Sequence, residues 1–261
     1  MKPNVAPMAS ARLARFSALL GGVLLAGLLA VPVLAGDRAG IGFIGYSPDG
    51  RYFAFDEFGI QDGSGFAYTN LYVLDATTDQ WVKGTPVRVR HDDETSTIID
   101  VRAEARDTAQ ETLDQLAIAE PVDILALNGD GAVAEADMQT LRFGKPGYGL
   151  AMPEQGYQLS LATVTAKLDE KGCADWSESD ITGFALTLTT NGQTKEVYRD
   201  QSVPKSRGCP QGYRLYGVVA PFDSFATFGP DLVPGMVAIV SVYSTGFEGP
   251  DRRFIAVPFG L

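Results

Sequence analysis

Short apolar segments separated by turn-forming residues run through most of this chain, and they favour antiparallel β structure. Near the start, Ile41–Tyr46 and Arg51–Asp56 flank the tetrapeptide 47–50 (SPDG). Proline fixes φ at the second turn position, and glycine adopts the closing conformation easily. Asn191-Gly192 is a second strong hairpin signal. The other predicted strands are Tyr68–Asp75, Gln80–Arg90, Tyr157–Leu168, Gly183–Thr190, Lys195–Arg199, Tyr213–Ala220, Met236–Tyr243 and Arg253–Pro258.

This pattern predicts a mainly β fold in which antiparallel sheets pack as a sandwich. A small propeller-like β fold is the alternative, because segments near residues 51–75 and 236–258 share the order strand, loop with Gly-Phe, strand. Propellers use four strands in each of at least about four blades, which exceeds the number of strands expected here. Two packed sheets are therefore the preferred fold.

Residues 91–120 interrupt the β pattern and predict one amphipathic helix. The stretch contains nine acids and two arginines. Acids at 92–94 favour a helix start, and Pro121 ends it. We therefore expect a helical insertion at about 93–120 within one mainly β domain, residues 36–261, whose acidic face is solvated. The apolar residues that recur at helical spacing are Ile98, Val101, Ala105, Ala109 and Leu116.

The first 35 residues predict a signal peptide. Lys2, Arg12 and Arg15 precede an apolar run at 16–30, and no acid occurs before Asp37. Small residues at 33 and 35 suit a signal peptidase, which places cleavage after Ala35. An uncleaved membrane anchor is the alternative, since residues 16–35 are just long enough to span a bilayer.

The net negative charge of the chain disfavours some classes of binding partner. Cleavage would remove three positive charges and change the formal net charge from −11 to −14. So acidic a protein is a poor ligand for nucleic acid or an anionic membrane. We expect a monomeric periplasmic or secreted protein with no membrane association after cleavage.

The only two cysteines, Cys173 and Cys209, lie in the exported part of the chain. An oxidising compartment favours a disulfide between them. A redox-active pair is disfavoured because the close C-x-x-C spacing is absent.

A cluster of basic residues surrounds Cys209. It is a candidate surface for binding an anion or a partner, since arginine pairs well with carboxylate and phosphate. Pairing with acids of the same chain is the simpler interpretation. The candidate residues are Arg199, Lys205, Arg207 and Arg214, with Lys195 nearby.

Residues 43–81 are rich in aromatic side chains, which indicates either a buried core or a stacking platform for glycans. Alternation places Phe53 and Phe55 on one strand face and Tyr52 on the other. Such two-sided burial is typical of a core.

No catalytic, cofactor or metal motif is complete. The glycine pattern at 40–45 precedes a hairpin instead of opening a helix, so it is no dinucleotide motif. The calcium-loop pattern of Asn128, Asp130, Gly131 and Asp137 lacks its first ligand and the final glutamate. A serine–histidine site would need His91, the only histidine, and no G-x-S-x-G elbow accompanies it. We expect no catalytic, cofactor-binding or metal-binding residue.

Three segments carry a resemblance to a known family. They are GYSPDGRYFAFDEFGIQDGSGFAYTNLYVLD (45–75), VPKSRGC (203–209) and GFEGPDRRFIAVP (246–258). The chain resembles an uncharacterised bacterial family of predicted secreted proteins that share a domain of unknown function. The resemblance implies export and a single structural unit, and it transfers no catalytic residue.

Export without a catalytic motif predicts a non-enzymatic binding or interaction module of the bacterial cell envelope. Its partner would be a protein or a small ligand, with no cofactor. The alternative is a periplasmic hydrolase that uses carboxylates.

Overall fold

The computed structural model of the chain describes residues 36–131, 138–144, 156–168, 182–224 and 235–260. The predicted signal peptide, residues 1–35, lies outside them. The helix α1 (Ile98–Gln115) and a short 3-10 helix (Lys205–Arg207) interrupt a series of strands. The strands are β1 (Gly40–Tyr46), β2 (Tyr52–Ile60), β3 (Ala67–Asp75), β4 (Gln80–Trp81), β5 (Val87–Arg90), β6 (Val122–Leu127), β7 (Thr140–Phe143), β8 (Tyr157–Val164), β9 (Lys167–Leu168), β10 (Gly183–Thr190), β11 (Gln193–Arg199), β12 (Ser202–Val203), β13 (Pro210–Pro221), β14 (Val237–Thr245) and β15 (Pro250–Pro258).

The strands form three main antiparallel sheets, which confirms the prediction of a mainly β fold. The first sheet has the order β1-β2-β3-β4, with β5 also paired to β3. The central sheet has the order β15-β14-β13-β6, and the third sheet has the order β11-β10-β8-β7. The two-residue strands β9 and β12 pair in parallel.

The central sheet is packed on both faces, so the domain has one more sheet layer than the two expected. On β14, Val237 and Ile239 pack against the first sheet, whereas Ala238 and Val240 pack against the third. Side chains alternate across a strand, and a strand buried on both faces is therefore apolar along its whole length. The sheets are stacked face to face as in a sandwich, and not arranged radially as in a propeller.

Both short turns expected from the sequence form hairpins. In the first, Gly50 has a φ of 71° and its N–H donates to the carbonyl of Ser47. In the second, Asn191 and Gly192 have φ values of 50° and 76°, and they connect β10 to β11. Positive φ at both central residues matches the right-handed twist of the flanking strands.

The predicted helix is present but starts later than expected. The N-cap is Thr97, whose hydroxyl accepts from the Asp100 N–H while the Asp100 carboxylate accepts from the Thr97 N–H. This reciprocal capping box, and not the acids at 92–94, sets the start. The helix ends at Gln115, six residues before Pro121.

Helix α1 covers the outer face of the first sheet. Its buried residues Ala105, Ala109 and Leu113 pack on Leu71 and Val73 of β3. Small alanines let the helix approach the sheet closely. The layers are therefore helix, first sheet, central sheet and third sheet.

The strands of the structure differ from the predicted ones in two regions, residues 122–143 and residues 80–90. Strands β6 and β7 were not expected from the sequence, and β6 extends the central sheet by pairing with β13. The segment Gln80–Arg90, expected as one strand, is divided into β4 and β5 around residues 82–86.

The residues after the predicted cleavage site are fixed on the central sheet. Asp37 and Ala39 are buried, and the Asp37 carbonyl accepts from the N–H of Arg252. The Arg252 guanidinium in turn donates to the carbonyl of Ala39. Within the described ranges, no helix is long and apolar enough to cross a membrane.

Candidate functional site

A groove lies where the three sheets meet, and we call it the inter-sheet groove. Its volume is about 380 Å³. Pockets that hold small ligands have volumes of roughly 300–1,000 Å³, so the groove is large enough for a small ligand. Its lining residues come from β2 to β5 and their turns (Glu57, Asn70, Tyr72, Leu74, Asp79, Trp81, Arg88), from β11 to the 3-10 helix (Tyr198, Pro204, Ser206, Arg207), and from β14 and β15 (Val242, Arg253, Phe254, Ile255, Ala256, Val257).

One wall of the inter-sheet groove is aromatic. The rings of Tyr72 and Trp81 are 5.0 Å apart, and the ring of Phe55 is stacked 4.9 Å behind Tyr72. Phe55 is fully buried, whereas Trp81 is 39% exposed. The aromatic-rich segment thus supplies buried core rings such as Phe55, several half-buried rings, and an exposed indole that lines the groove. The exposed indole supplies flat apolar area for a ligand.

The floor of the groove contains a buried carboxylate, Glu57, with an exposure of 2%. Its Oε1 accepts hydrogen bonds from the Asn70 amide at 2.9 Å and the Tyr72 hydroxyl at 2.8 Å. Its Oε2 accepts from the backbone N–H of Phe254 at 2.9 Å, which links the first sheet to β15. Burial, with a smaller contribution from the Glu57 charge, raises the pKa of Tyr72. Glu57 is therefore held firmly in place by three donors.

Arg207 lines the inter-sheet groove but is not an exposed cation. Its side chain is 10% exposed and forms a 2.6 Å ion pair with Asp200, which is 2% exposed. A second guanidinium nitrogen donates to the Tyr198 hydroxyl at 3.0 Å, and the group lies 5.1 Å over the Phe184 ring. Burial lowers the pKa of Arg207, but the Asp200 hydrogen bond and the nearby Tyr198, Asp200 and Tyr213 together raise it above its ordinary value. Arg207 thus acts as the structural partner of a buried acid.

The groove contains two other arginines. Arg253 donates to the Asp37 carboxylate at 2.6 Å, and that carboxylate also accepts from the Tyr68 hydroxyl. Burial raises the pKa of Asp37, and Arg253 opposes the rise. Arg88 is exposed and forms no ion pair with any residue that the structure describes.

Asp79 is the second carboxylate of the groove. Partial loss of hydration raises its pKa, and the positive charge of Arg207 opposes the rise. Asp79 lies in the turn before β4 with a φ of 53°. It places acceptor oxygens beside the exposed Trp81.

The structure does not gather the four predicted cations into one surface. Arg199, on β11, pairs with Glu196 at 2.6 Å, with both side chains substantially exposed. Arg214 lies over the Tyr243 ring and lines a different cavity of about 150 Å³. Lys205 is exposed at the start of the 3-10 helix. Anion binding by these residues stays a prediction, and Arg207 is the only one of the four that lines the inter-sheet groove.

The predicted disulfide depends on Cys173, which lies outside the described residues. Cys209 lies between the 3-10 helix and β13, and its carbonyl accepts from the N–H of Thr245 at 3.2 Å. The Cys173–Cys209 bridge stays a prediction.

Two residues of the incomplete calcium-loop pattern form ion pairs and hydrogen bonds within the fold. Both carboxylate oxygens of Asp130 accept from arginines, since Arg38 and Arg252 form ion pairs with it. The Asn128 amide donates to the carbonyls of Thr140 and Leu215. Asp137 is not among the described residues. No cluster of three or more potential metal-ligating side chains occurs in the described part of the chain.

His91 connects the end of β5 to helix α1. One ring nitrogen is 2.9 Å from the Ser96 hydroxyl, and the other is 2.8 Å from the Glu104 carboxylate. The Ser96 hydroxyl also donates to Asp93, and its backbone N–H donates to the same carboxylate. Ser96 is thus bound within its own loop to both His91 and Asp93.

No sequence pattern connects Glu57, Arg88, Arg253 and Asp79 to a shared site. They lie on separate strands and turns, and no fixed spacing relates them. One signal was present, since an acid in the apolar run of β2 must find partners when it is buried. That signal applies equally to Asp56 and Glu57, and it does not show which elements meet them.

Fold and groove together define a mainly β domain of stacked sheets with a ligand-sized groove at their junction. A family model described as predicted secreted protein (DUF2259) matches residues 54–259. The chain belongs to this family, whose function is unknown. No curated protein gives a significant match. No solved structure does so either.

Proposed function

We propose that this protein is a non-enzymatic binding module of the bacterial cell envelope, and that it holds a small ligand in the inter-sheet groove. The groove itself is the observation that supports binding. It combines an exposed indole and apolar strand residues, which supply contact area, with charged and polar side chains that can orient a ligand. The description of the family as secreted supports export to the periplasm or beyond the cell. We further propose that the protein works as a monomer.

A ligand screen by thermal unfolding tests this proposal. A ligand that binds only the folded state raises the melting temperature, and the increase grows with ligand concentration. The screen would use exported protein and a library of sugars, organic acids, amino acids and nucleotides. Binding to the groove predicts that Trp81→Ala abolishes the increase. Phe247→Ala is the matched control, because Phe247 is 84% exposed and does not line the groove. Equal responses of the two variants would contradict a site in the groove.

The hydrolase hypothesis predicts turnover of glycans or esters. Purified protein would be assayed on both classes, together with Asp79→Asn and Glu57→Gln. Robust turnover that either single substitution abolishes would defeat the non-enzymatic proposal. Glu57 already accepts three hydrogen bonds, an arrangement that holds the carboxylate still and does not favour proton transfer to a substrate.

A further inference from the structure

The charges around the inter-sheet groove narrow the chemical class of its ligand, and this step rests on the proposed binding function. Two of its three arginines are already neutralised by acids of the same chain, Arg207 by Asp200 and Arg253 by Asp37. Two further carboxylates, Glu57 and Asp79, line the groove. Arg88 is the one lining cation without an ion pair to a described residue. The four acids Glu57, Asp79, Asp200 and Asp37 thus outnumber the three arginines, and a ligand with a strong negative charge would meet a net negative environment.

The polar groups of the groove include both donors and acceptors. Arg88 supplies a guanidinium, Ser206 a hydroxyl, and Asp79 a carboxylate. The Asn70 amide nitrogen donates to Glu57 at 2.9 Å, and an amide oxygen is a hydrogen-bond acceptor. A simple anion needs donors alone, whereas a ring with several hydroxyl groups needs donors and acceptors together.

The aromatic wall adds a flat apolar surface beside these polar groups. Trp81 is 39% exposed, and its ring lies 5.0 Å from that of Tyr72 and 6.3 Å from that of Phe55. The C–H face of a pyranose ring can lie on such an indole while its hydroxyl groups reach polar side chains at the edge. Because Tyr72 and Trp81 are packed together before any ligand arrives, little ordering is needed on binding.

We infer that the inter-sheet groove binds a neutral saccharide of one or two rings, with a ring stacked on Trp81 and its hydroxyl groups held by Arg88 and Asp79. The volume of about 380 Å³ limits how much of a longer glycan the groove can enclose. A longer glycan would leave its remaining units outside the groove.

Isothermal titration calorimetry tests the inference with four probes: cellobiose, N,N′-diacetylchitobiose, galacturonate and AMP. At least one neutral disaccharide should bind, with an affinity that changes little between low and physiological salt. Trp81→Ala should weaken this binding about tenfold or more, as truncation of a central aromatic anchor does. Arg88→Met should weaken it several-fold. Phe247→Ala should leave it unchanged.

The outcomes separate the ligand class from the binding function. If galacturonate or AMP binds in a Trp81-dependent manner and the neutral sugars do not, the saccharide inference is wrong and the binding function stands. If a neutral disaccharide binds equally to Trp81→Ala and wild type, the placement in the groove is wrong. If none of the four probes binds, the saccharide inference fails. If the wider thermal screen also finds no groove-dependent ligand, the proposed function fails with it.

Trp81→Phe keeps an aromatic ring and should retain most of the affinity, which guards against misreading a folding defect.

Discussion

At the scale of single residues, this domain uses its charges mainly to join its layers. Arg207, which lies over the rings of Phe184 and Tyr213, neutralises Asp200. Arg253 neutralises Asp37, and Arg102 of α1 donates to the buried Asp56 at 2.6 Å. Buried ion pairs cost desolvation, and removing one partner leaves the other charge uncompensated. The many acids of the chain are thus partly structural.

Arg207→Ala is therefore expected to destabilise the fold. Loss of the guanidinium would leave Asp200 buried without its cation, at a cost of about 3–5 kcal/mol in the free energy of unfolding. Arg199→Ala, which removes an exposed pair with Glu196, should cost about 0–1 kcal/mol. Urea unfolding of both variants measures the difference. Equal stabilities would show that Arg207 is not structurally important.

His91 should make stability depend on pH. The hydrogen bond to Glu104, together with the nearby charges of Glu104, Asp93 and Asp100, raises the pKa of His91 above its ordinary value of about 6.5. A raised pKa in the folded state means that the protonated ring is stabilised. The contribution is fully present below about pH 6.5 and is lost as the pH rises through the folded-state pKa.

Because the chain has only one histidine, its ring proton resonances report this pKa without ambiguity in an NMR titration. Glu104→Gln should lower the value, and Glu111→Gln, whose carboxylate accepts from Gln115, should leave it unchanged. A wild-type pKa at or below that of unfolded chain would contradict the expectation.

At the scale of elements, helix α1 depends on its cap more than on its weakly apolar face. Its buried residues are mostly alanine and valine, which supply modest apolar area. The Thr97–Asp100 capping box satisfies backbone donors at the N-terminus, where they have no partners within the helix.

Thr97→Ala should destabilise the domain by about 1 kcal/mol, because the N-cap oxygen is lost. Thr108→Ala is the control, since Thr108 lies in the middle of the helix and alanine has the higher helix propensity there. Its effect should be neutral or stabilising. Thermal unfolding followed by circular dichroism compares the two variants, and a larger loss in Thr108→Ala would disprove the importance of the cap.

At the scale of the whole molecule, stability comes from a central sheet buried on both faces. The first sheet and the third sheet cover it with separate apolar clusters, and the segment at 37–39 fixes the start of the domain to β15. We expect two covalent changes in the exported chain, which are removal of the signal peptide and formation of a disulfide.

We predict a disulfide between Cys173 and Cys209. In the chain-entropy model it would stabilise the fold by roughly 4 kcal/mol. Thiol labelling of exported protein, denatured without reductant, should find no free cysteine. Two labelled thiols would refute the bridge, and Cys209→Ser should unfold at a lower urea concentration than wild type.

We also predict cleavage after Ala35. Intact-mass measurement of the exported protein should show a chain that begins at Gly36. Recovery of residues 1–35 attached to the protein in the membrane fraction would favour the uncleaved anchor instead.

What the sequence determined by itself is local. Turn tetrapeptides gave hairpins at 47–50 and 191–192 because proline, asparagine and glycine restrict or permit the backbone angles of single residues. Alternating and continuous apolar runs indicated the strands because side chains alternate between the two faces of a sheet, and each buried face requires apolar residues. The family was also recognisable from local segments such as 45–75.

Only the tertiary structure decided which charges meet and where the groove lies. The sequence indicated that Arg207 could pair with an acid of its own chain but not which one, and packing of β11 and the 3-10 helix buries it against Asp200. The groove residues Glu57, Trp81, Arg88 and Arg253 come together only when the sheets stack. The spacing of apolar residues in a sequence indicates whether a segment is a strand or a helix and which of its faces is buried. It does not indicate which other sheet will pack against that face. Layer order and inter-sheet geometry therefore arise from long-range packing, which determines both the third sheet layer and the candidate site.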